Sequence, residues 1–375
     1  MSAAALLFAP DRARRLVVKV GSSLLIEPGG AIRRQWLETL VSDLAARHAA
    51  GQQIVVVSSG SIALGSRRLK LKGGGRKTLE DAQASAAAGQ ILLAGLWAEL
   101  LAVHSIAAAQ MLLTLGDFEN RRRFLNAAAT LDRLLALGAI PILNENDSVA
   151  TEEIRFGDND RLAARVAQAA HADGLVLLSD IDGLYTANPA EDPSAEFVAE
   201  VADIAAVAHM ASAASSSGMG SGGMLAKLEA ARIAHAAGIP VAILAGKPAH
   251  PLACFDETGR GTVFLAHDAL SARKAWLAGR MQVAGRLAVD DGAARALRSG
   301  KSLLAAGITA VDGHFRRGDA VDIVDSAGHV LARGLVGYDE VDARAIMGRN
   351  NGEIAAMLGH APRSTVVHCD QLVLL

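Results

Sequence analysis

Lys19 stands inside an apolar run, LVVKV (16–20), and Gly21, Ser22 and Ser23 follow it directly. An ammonium in a strand buried on both faces needs an anionic partner, and the turn behind it offers backbone N–H groups to an anion. The plainer alternative is an edge-strand lysine reaching solvent. A second lysine, Lys227, lies one turn inside a helical pattern that opens at the glycine loop GMGSGG (218–223). That arrangement also aims backbone N–H groups and one ammonium at a polyphosphate; the alternative is a linker. Between the lysines come two polar knots, Asn144-Glu145-Asn146-Asp147 and Gly157-Asp158-Asn159-Asp160. Asx turns and helix caps account for one or two such residues, whereas so many amides and carboxylates on one sheet edge point to ligands. Ser58, Ser59 and Gly60 end one strand run, and Ser179, Asp180, Ile181, Asp182 and Gly183 end another; each reads alone as a cap or a turn. No His or Cys nucleophile accompanies these groups. Two lysines, two glycine-containing loops and a cluster of carboxylates and amides suit phosphoryl transfer, which needs positioning and charge neutralisation rather than covalent catalysis. The carboxylates are then available to a cationic substrate group, a metal ion or the lysines themselves.

Three look-alike motifs carry less. GMGSGG has the spacing of a dinucleotide fingerprint but follows AASSS instead of a strand, so it lacks the context that gives the motif meaning. Gly300-Lys301-Ser302 imitates the tail of a P-loop, yet Arg295 occupies the place of the first P-loop glycine. The loop around Asp182 lacks the remaining ligands of a calcium hand.

The elements that must position these residues follow from periodicity. Six short apolar runs, at 16–20, 54–57, 106–113, 139–143, 175–178 and 239–244, alternate with helical patterns. Ile32, Trp36, Leu37, Leu40, Val41 and Leu44 form one such helical stripe, with Gly51 placed to stop it. Strand and helix in alternation predict an α/β fold with a mainly parallel sheet sandwiched by helices, in which ligands gather beyond the carboxyl ends of the strands. After about residue 265 the texture changes to short strands punctuated by Gly and Asp. Residues 1–265 are therefore read as the α/β domain, 266–280 as a connector and 281–375 as a small β-rich domain. The Ala/Ser/Gly-rich stretch 211–223 is expected to be a mobile loop.

Composition fits this plan. The 375 residues are 51% hydrophobic and 20% charged, with Lys+Arg 37 against Asp+Glu 39 and a formal net charge of −2. A disordered chain is excluded, and no global field attracts nucleic acid or an anionic membrane, so a polyanion must meet a local site. Cys254 and Cys369 supply neither a disulfide framework nor a zinc cluster, which suits a cytoplasmic location. The amino end does not read as a signal peptide, because its charges follow the short apolar stretch. The uncharged run Ala82–Ala98 contains Gln83, Ser85 and Gln90 and is expected to be a buried helix rather than a membrane span.

Taken together, VVKVGSS, VVVSSGSIALG, PILNENDSVATEEIRFGDND, LLSDIDGLYTANP and GSGGMLAKLEAA resemble the amino-acid kinase family over nearly the whole chain. More narrowly they resemble its branch that phosphorylates the side-chain carboxylate of glutamate with ATP and opens proline biosynthesis. The tail GRLAVDDGAARAL, GKSLLAAGI and GHFRRGDAVDI resembles the PUA domain that bacterial members of that branch carry. The resemblance implies that Lys19 and Lys227 stabilise the transferring phosphoryl group and that Asp160 holds both. Ser59, Asn144, Asp147, Asp158 and Asn159 are implied as glutamate ligands. Ser179, Asp180 and the segment Ser221, Gly222, Gly223, Met224, Leu225, Ala226 and Lys227 are implied as nucleotide ligands, with Mg²⁺ bridging phosphates and no protein metal ligand assigned. Ser179 and Ser221 keep a hydroxyl where many relatives have Thr; Asn188 stands where Asp is common. Feedback inhibition by proline and a homo-oligomer are further implications of the family. Two alternatives remain open. A relative could phosphorylate aspartate or N-acetylglutamate, and a free α-ammonium is what would call for Asp147. PUA domains also occur in RNA-modifying enzymes, but 281–375 holds 10 Lys+Arg against 11 Asp+Glu and only Phe315 and Tyr338 as aromatics, which offers neither a basic face nor a stacking platform.

Overall fold

The computed structural model of the chain describes residues 5–27, 31–149, 158–189, 191–213, 223–266, 283–350, 352–354 and 365–375. Its contacts divide it into two compact units, Met1–Asn120 with Asn126–Ala269, and Arg121–Leu125 with Leu270–Leu375. The connector 266–280 lies outside the described residues except for residue 266.

The first unit contains β1 (Arg15–Val20), β2 (Gln53–Ser58), β3 (Ala108–Leu113), β4 (Ile140–Glu145), β5 (Gly174–Ser179), β6 (Leu184–Tyr185), β7 (Phe197–Val198), β8 (Glu200–Val201), β9 (Val241–Ala245) and β10 (Thr262–Phe264). Eight of these form one sheet in the order β3-β4-β2-β1-β5-β9-β10-β8. The six strands expected from sequence are all present and mutually parallel; β10, antiparallel to β9, and β8 extend the edge. Those two edge strands are only two or three residues long, too short for a periodic signal. β1 and β5 sit centrally and are almost entirely buried, which explains their unbroken apolar runs.

The helices are α1 (Ser22–Leu25), α2 (Arg34–Ala49), α3 (Ser61–Arg68), α4 (Leu79–Ala102), α5 (Leu115–Glu119), α6 (Arg121–Ala136), α7 (Asp158–Ala169), α8 (Ala208–Ala213), α9 (Met224–His235) and α10 (Pro251–Thr258). Ile32 of the expected α2 stripe lies outside the helix, bridged to Ile26. Gly51 takes φ +90° just beyond α2, the left-handed conformation that glycine adopts without strain. The loop expected over 211–223 is in part α8; residues 214–222 lie outside the described residues. The apolar run at 82–98 is indeed helical, but buried on one face only: Ala82, Ser85, Ala86, Gly89, Gln90, Leu93 and Trp97 face inward while Ile91 is exposed. Thr78 caps this helix by accepting a hydrogen bond from the Asp81 N–H.

The second unit is built on a five-stranded sheet, β12-β11-β13-β14-β15, with β11 (Val283–Val289), β12 (Ile308–Gly313), β13 (Ala320–Val324), β14 (Val330–Leu335) and β15 (Leu372–Leu374). It adds α11 (Asp291–Arg298), capped by Asp290, and α12 (Glu340–Ile346), capped by Asp339. Leu287, Leu297, Phe315, Ile323 and Ile346 share its core. Phe124 and Leu125 join Ala320, Leu335 and Val373 in a smaller cluster of the same unit. The Gly300-Lys301-Ser302 segment is a turn here, with Gly300 at φ +78° and Ser302 Oγ accepting the Cys369 N–H.

Candidate active site

Strand register brings the sequence-predicted residues to one level. Val20 pairs with Ser58 and with Leu178, and Val57 pairs with Leu143. The carboxyl ends of β1, β2, β4 and β5 therefore present Gly21, Ser59, Asn144 and Ser179 side by side, where a parallel sheet gathers its ligands.

Lys19, on β1, is buried, with Asp160 Oδ1 2.6 Å from its Nζ. Lys227 Nζ reaches Asp160 Oδ2 at 3.2 Å, and Asp160 itself is fully enclosed. The helices that set this geometry are alanine-rich. Ala163, Ala164 and Ala167 of α7 and Ala230, Ala231 and Ala234 of α9 are all buried, and small side chains let two helices approach closely. Two polar ties fix their register: Arg161 Nη2 to Glu229 Oε1 at 2.6 Å and Gln168 Nε2 to the Ile233 carbonyl at 2.9 Å. Asp160 thus lies in the first turn of α7 and Lys227 in the first turn of α9, which places each near the positive end of its own helix.

Electrostatics follow from this enclosure. Burial alone would raise the Asp160 carboxyl pKa, but the two ammonium groups outweigh it and hold it below the ordinary aspartate value. Burial lowers the Lys19 pKa; Asp160 opposes the shift, Lys227 reinforces it and Asp180 weakly opposes it. Two cations on one carboxylate leave a surplus of positive charge in a dry place, which is the condition for holding a polyphosphate.

Toward β4 the chemistry changes. Asn159 Nδ2 donates to Ser59 Oγ at 2.8 Å and to Asn144 Oδ1 at 3.2 Å. Asn144 Nδ2 in turn donates to Ser61 Oγ at 3.1 Å and to Gln90 Oε1 at 2.8 Å. Asp147 is buried and lies within electrostatic range of Arg76. Asn146 turns to a local contact instead: its side-chain Oδ1 accepts from Ser148 Oγ. The convergence of the whole polar run is therefore narrower than the sequence suggested. Ser61, Gln90 and Arg76 were missed, since a serine in a helical first turn, a glutamine in an alanine-rich helix and an arginine after three glycines carry no motif.

On the β5 side, Ser179 Oγ donates to Asp180 Oδ1 at 3.1 Å, and Asp180 is exposed. Asp182 pairs with other groups. Arg260 Nε and Nη2 hold its Oδ2 at 2.9 and 2.8 Å, and Tyr185 Oη donates to its Oδ1 at 3.0 Å. Gly223, Met224, Leu225 and Ala226 form the start of α9; Ser221 and Gly222 lie outside the described residues, as does the side chain of Asp158.

Residues 14–245 match the model of the amino acid kinase family, and residues 285–358 match that of the PUA domain. A glutamate 5-kinase of Sphingopyxis alaskensis is 60% identical over 98% of this chain and 100% of its own length. Those of Zymomonas mobilis and Novosphingobium aromaticivorans are 55% and 56% identical, over 98% and 96% of this chain and 93% and 96% of their own lengths. The chain belongs to the amino acid kinase family and, within it, to the glutamate 5-kinases.

Proposed function

We propose that this chain transfers the γ-phosphoryl group of ATP to the side-chain carboxylate of L-glutamate, giving L-glutamyl 5-phosphate, the first step of proline biosynthesis. The observation that carries the chemistry is the pair of buried ammonium groups sharing one buried carboxylate. Lys19 and Lys227 neutralise charge on the phosphoryl group as it passes from the leaving oxygen to the attacking one. Asp160 keeps both lysines in place and stays ionised. A glutamate side chain ordinarily titrates near pH ~4.3 and so already carries its nucleophilic charge at neutral pH. No general base is needed.

Ser59, Asn144, Asp147, Asp158 and Asn159 are assigned to glutamate, and Ser179, Asp180 and 221–227 to the nucleotide. Mg²⁺, when bound, supplies further neutralisation on the phosphate oxygens. No protein side chain is assigned as a direct ligand of that ion. The assignment gives 1–265 to kinase chemistry, 266–280 to a connector and 281–375 to a PUA-like domain, in a cytoplasmic homo-oligomer inhibited by proline.

The test is ATP consumption with glutamate, aspartate or N-acetylglutamate, trapping the acyl phosphate with hydroxylamine. Glutamate is expected to give the strongest hydroxamate signal, and proline to suppress it. A stronger signal from N-acetylglutamate would overturn the assignment of Asp147 to a free ammonium.

A further inference from the structure

The amide network ends in an atom it does not use. Gln90, in the middle of α4, is 9% exposed. Its Oε1 accepts from Asn144 Nδ2, and its Nε2 has no hydrogen-bond partner among the described residues. Gln90 cannot reverse its amide alone. Asn159 Nδ2 meets Asn144 Oδ1 and Asn144 Nδ2 meets Gln90 Oε1, so reversing Gln90 would set one NH₂ group against another. In this arrangement of the three amides the unused donor is Gln90 Nε2. Asn159 Oδ1, an acceptor in the same network, is likewise buried and unpartnered among the described residues.

Packing alone does not call for a glutamine here. α3 and α4 cross backbone to backbone: a Cβ on Gly65 would collide with the Ser85 carbonyl oxygen, and one on Gly89 with the Ser61 carbonyl oxygen. This crossing brings Ser61 and Gln90 onto the same Asn144 amide. Gln90 Oε1 answers one Asn144 N–H, but the same amide brings a donor that the surrounding packing leaves unpaired, and an unpaired buried donor destabilises the fold. A partner that arrives with the substrate resolves the conflict.

The position identifies the partner. Asn144 lies one residue before the end of β4, and β2 lies between β4 and the Lys19 strand β1, so at roughly 4.8 Å per strand the backbone at Asn144 stands about 10 Å from that of β1. An amino acid whose side-chain carboxylate faces the lysines presents its α-carbon groups toward the amide end. Of those, the ammonium only donates and the α-carboxylate only accepts.

We propose that Gln90 binds the α-carboxylate of the acceptor amino acid through Nε2. Gln90 thereby makes the enzyme require an acceptor that carries an α-carboxylate besides the carboxylate that is phosphorylated. The inference rests on the reading of glutamate as acceptor.

Gln90→Glu in the full chain isolates the donor, because it keeps the size of the side chain and an oxygen for Asn144. At about pH 8 the glutamate KM is expected to rise roughly tenfold or more, with kcat within about threefold and the ATP KM unchanged. Lowering the pH to about 6 is expected to restore much of the affinity, as the introduced buried carboxyl gains a proton and donates again; the wild-type KM stays flat. A folded variant whose glutamate KM is unchanged overturns the proposal, as does a loss that is independent of pH. A second measurement needs no variant. 4-Aminobutyrate keeps the side-chain carboxylate and the amine of glutamate but lacks the α-carboxylate, and its kcat/KM on the wild-type chain is expected to be about a hundredfold lower or worse. Comparable use of the two acceptors sinks the role of Gln90 whether or not the variant folds. Absence of any glutamate phosphorylation by the wild-type chain would instead sink the functional reading beneath it.

Discussion

At the β1 side of the site three charged groups, Lys19, Asp160 and Lys227, are buried against one another. Toward β4, Ser59, Asn159, Asn144, Ser61 and Gln90 are joined through neutral hydroxyl and amide groups. Both regions are enclosed, so the contrast is not one of exposure. Buried charge is costly unless paired, and here it is paired only in part, where charge must move during phosphoryl transfer. Fixed dipoles serve where the charge on the acceptor stays constant from ground state to transition state. On the proposed division the charged end should govern kcat, and the amide end together with Asp147 should govern acceptor KM.

The largest expected effect breaks the charged end. Lys19→Ala or Lys227→Ala should lower kcat by about a hundredfold or more, with glutamate KM changed by less than about threefold, since each removes one preorganised charge from the transition state. Steady-state kinetics in both substrates checks this. An active Lys19→Ala enzyme with only a raised KM would make Lys19 a binding group.

The same end sets a pH limit. Lys19 acts as the ammonium, and burial holds its pKa below the ordinary value of 10.5, with Asp160 opposing the shift. Activity should therefore fall as pH rises through a pKa lower than 10.5, and kcat should carry the loss. Asp160 is held below its ordinary value of 3.8, so it keeps its charge to lower pH than a free aspartate and contributes no acid limb near neutrality. A kcat profile flat up to the ordinary lysine value would contradict the placement of Lys19.

Asp147→Asn probes the other end. The neutral amide loses charge-assisted pairing with an α-ammonium, so glutamate KM should rise by about tenfold while kcat stays within about threefold. Unchanged glutamate affinity would give Asp147 a structural role, and its proximity to Arg76 makes that outcome the one to measure against, through the thermal midpoint of the variant.

The charged end was the more legible of the two in the sequence. A lysine in an apolar strand run and a lysine after a glycine loop each break a local pattern, and broken patterns mark function. The six parallel strands were legible for the complementary reason, because their apolar runs obey the pattern throughout. The amide end was half legible. Asn144 and Asn159 stand in polar knots, whereas Ser61 and Gln90 reach them only through the crossing of α3 and α4 at Gly65 and Gly89. That crossing joins residues far apart in the chain, a relation that periodicity does not register. Asp182 illustrates the converse: it stands in a conspicuous SDIDG run, yet its partners are Arg260 and Tyr185.

That clamp yields the smallest expected effect and a way to sharpen the comparison, because it belongs to neither end. Arg260 lies with its guanidinium 3.6 Å over the Phe197 ring while gripping Asp182 and the Tyr185 hydroxyl. Thr262, two residues on, accepts the Leu184 N–H at 2.7 Å and donates to the Val198 carbonyl at 2.6 Å. Together these contacts pin the segment that follows Ser179 and Asp180 without touching the lysines or the amides. Arg260 is about half exposed, and exposed ion pairs contribute roughly 1 kcal/mol or less, although stacking on an aromatic face adds to that. Arg260→Ala should therefore raise the ATP KM by about three- to tenfold and leave kcat and glutamate KM within about twofold. Arg260→Lys should recover only part of the loss, since an ammonium keeps the charge but not the planar fork that grips Asp182 and stacks on Phe197. A variant with a lower thermal midpoint and an unchanged ATP KM would make the clamp a matter of stability alone, and the nucleotide loop would then owe its position to β5.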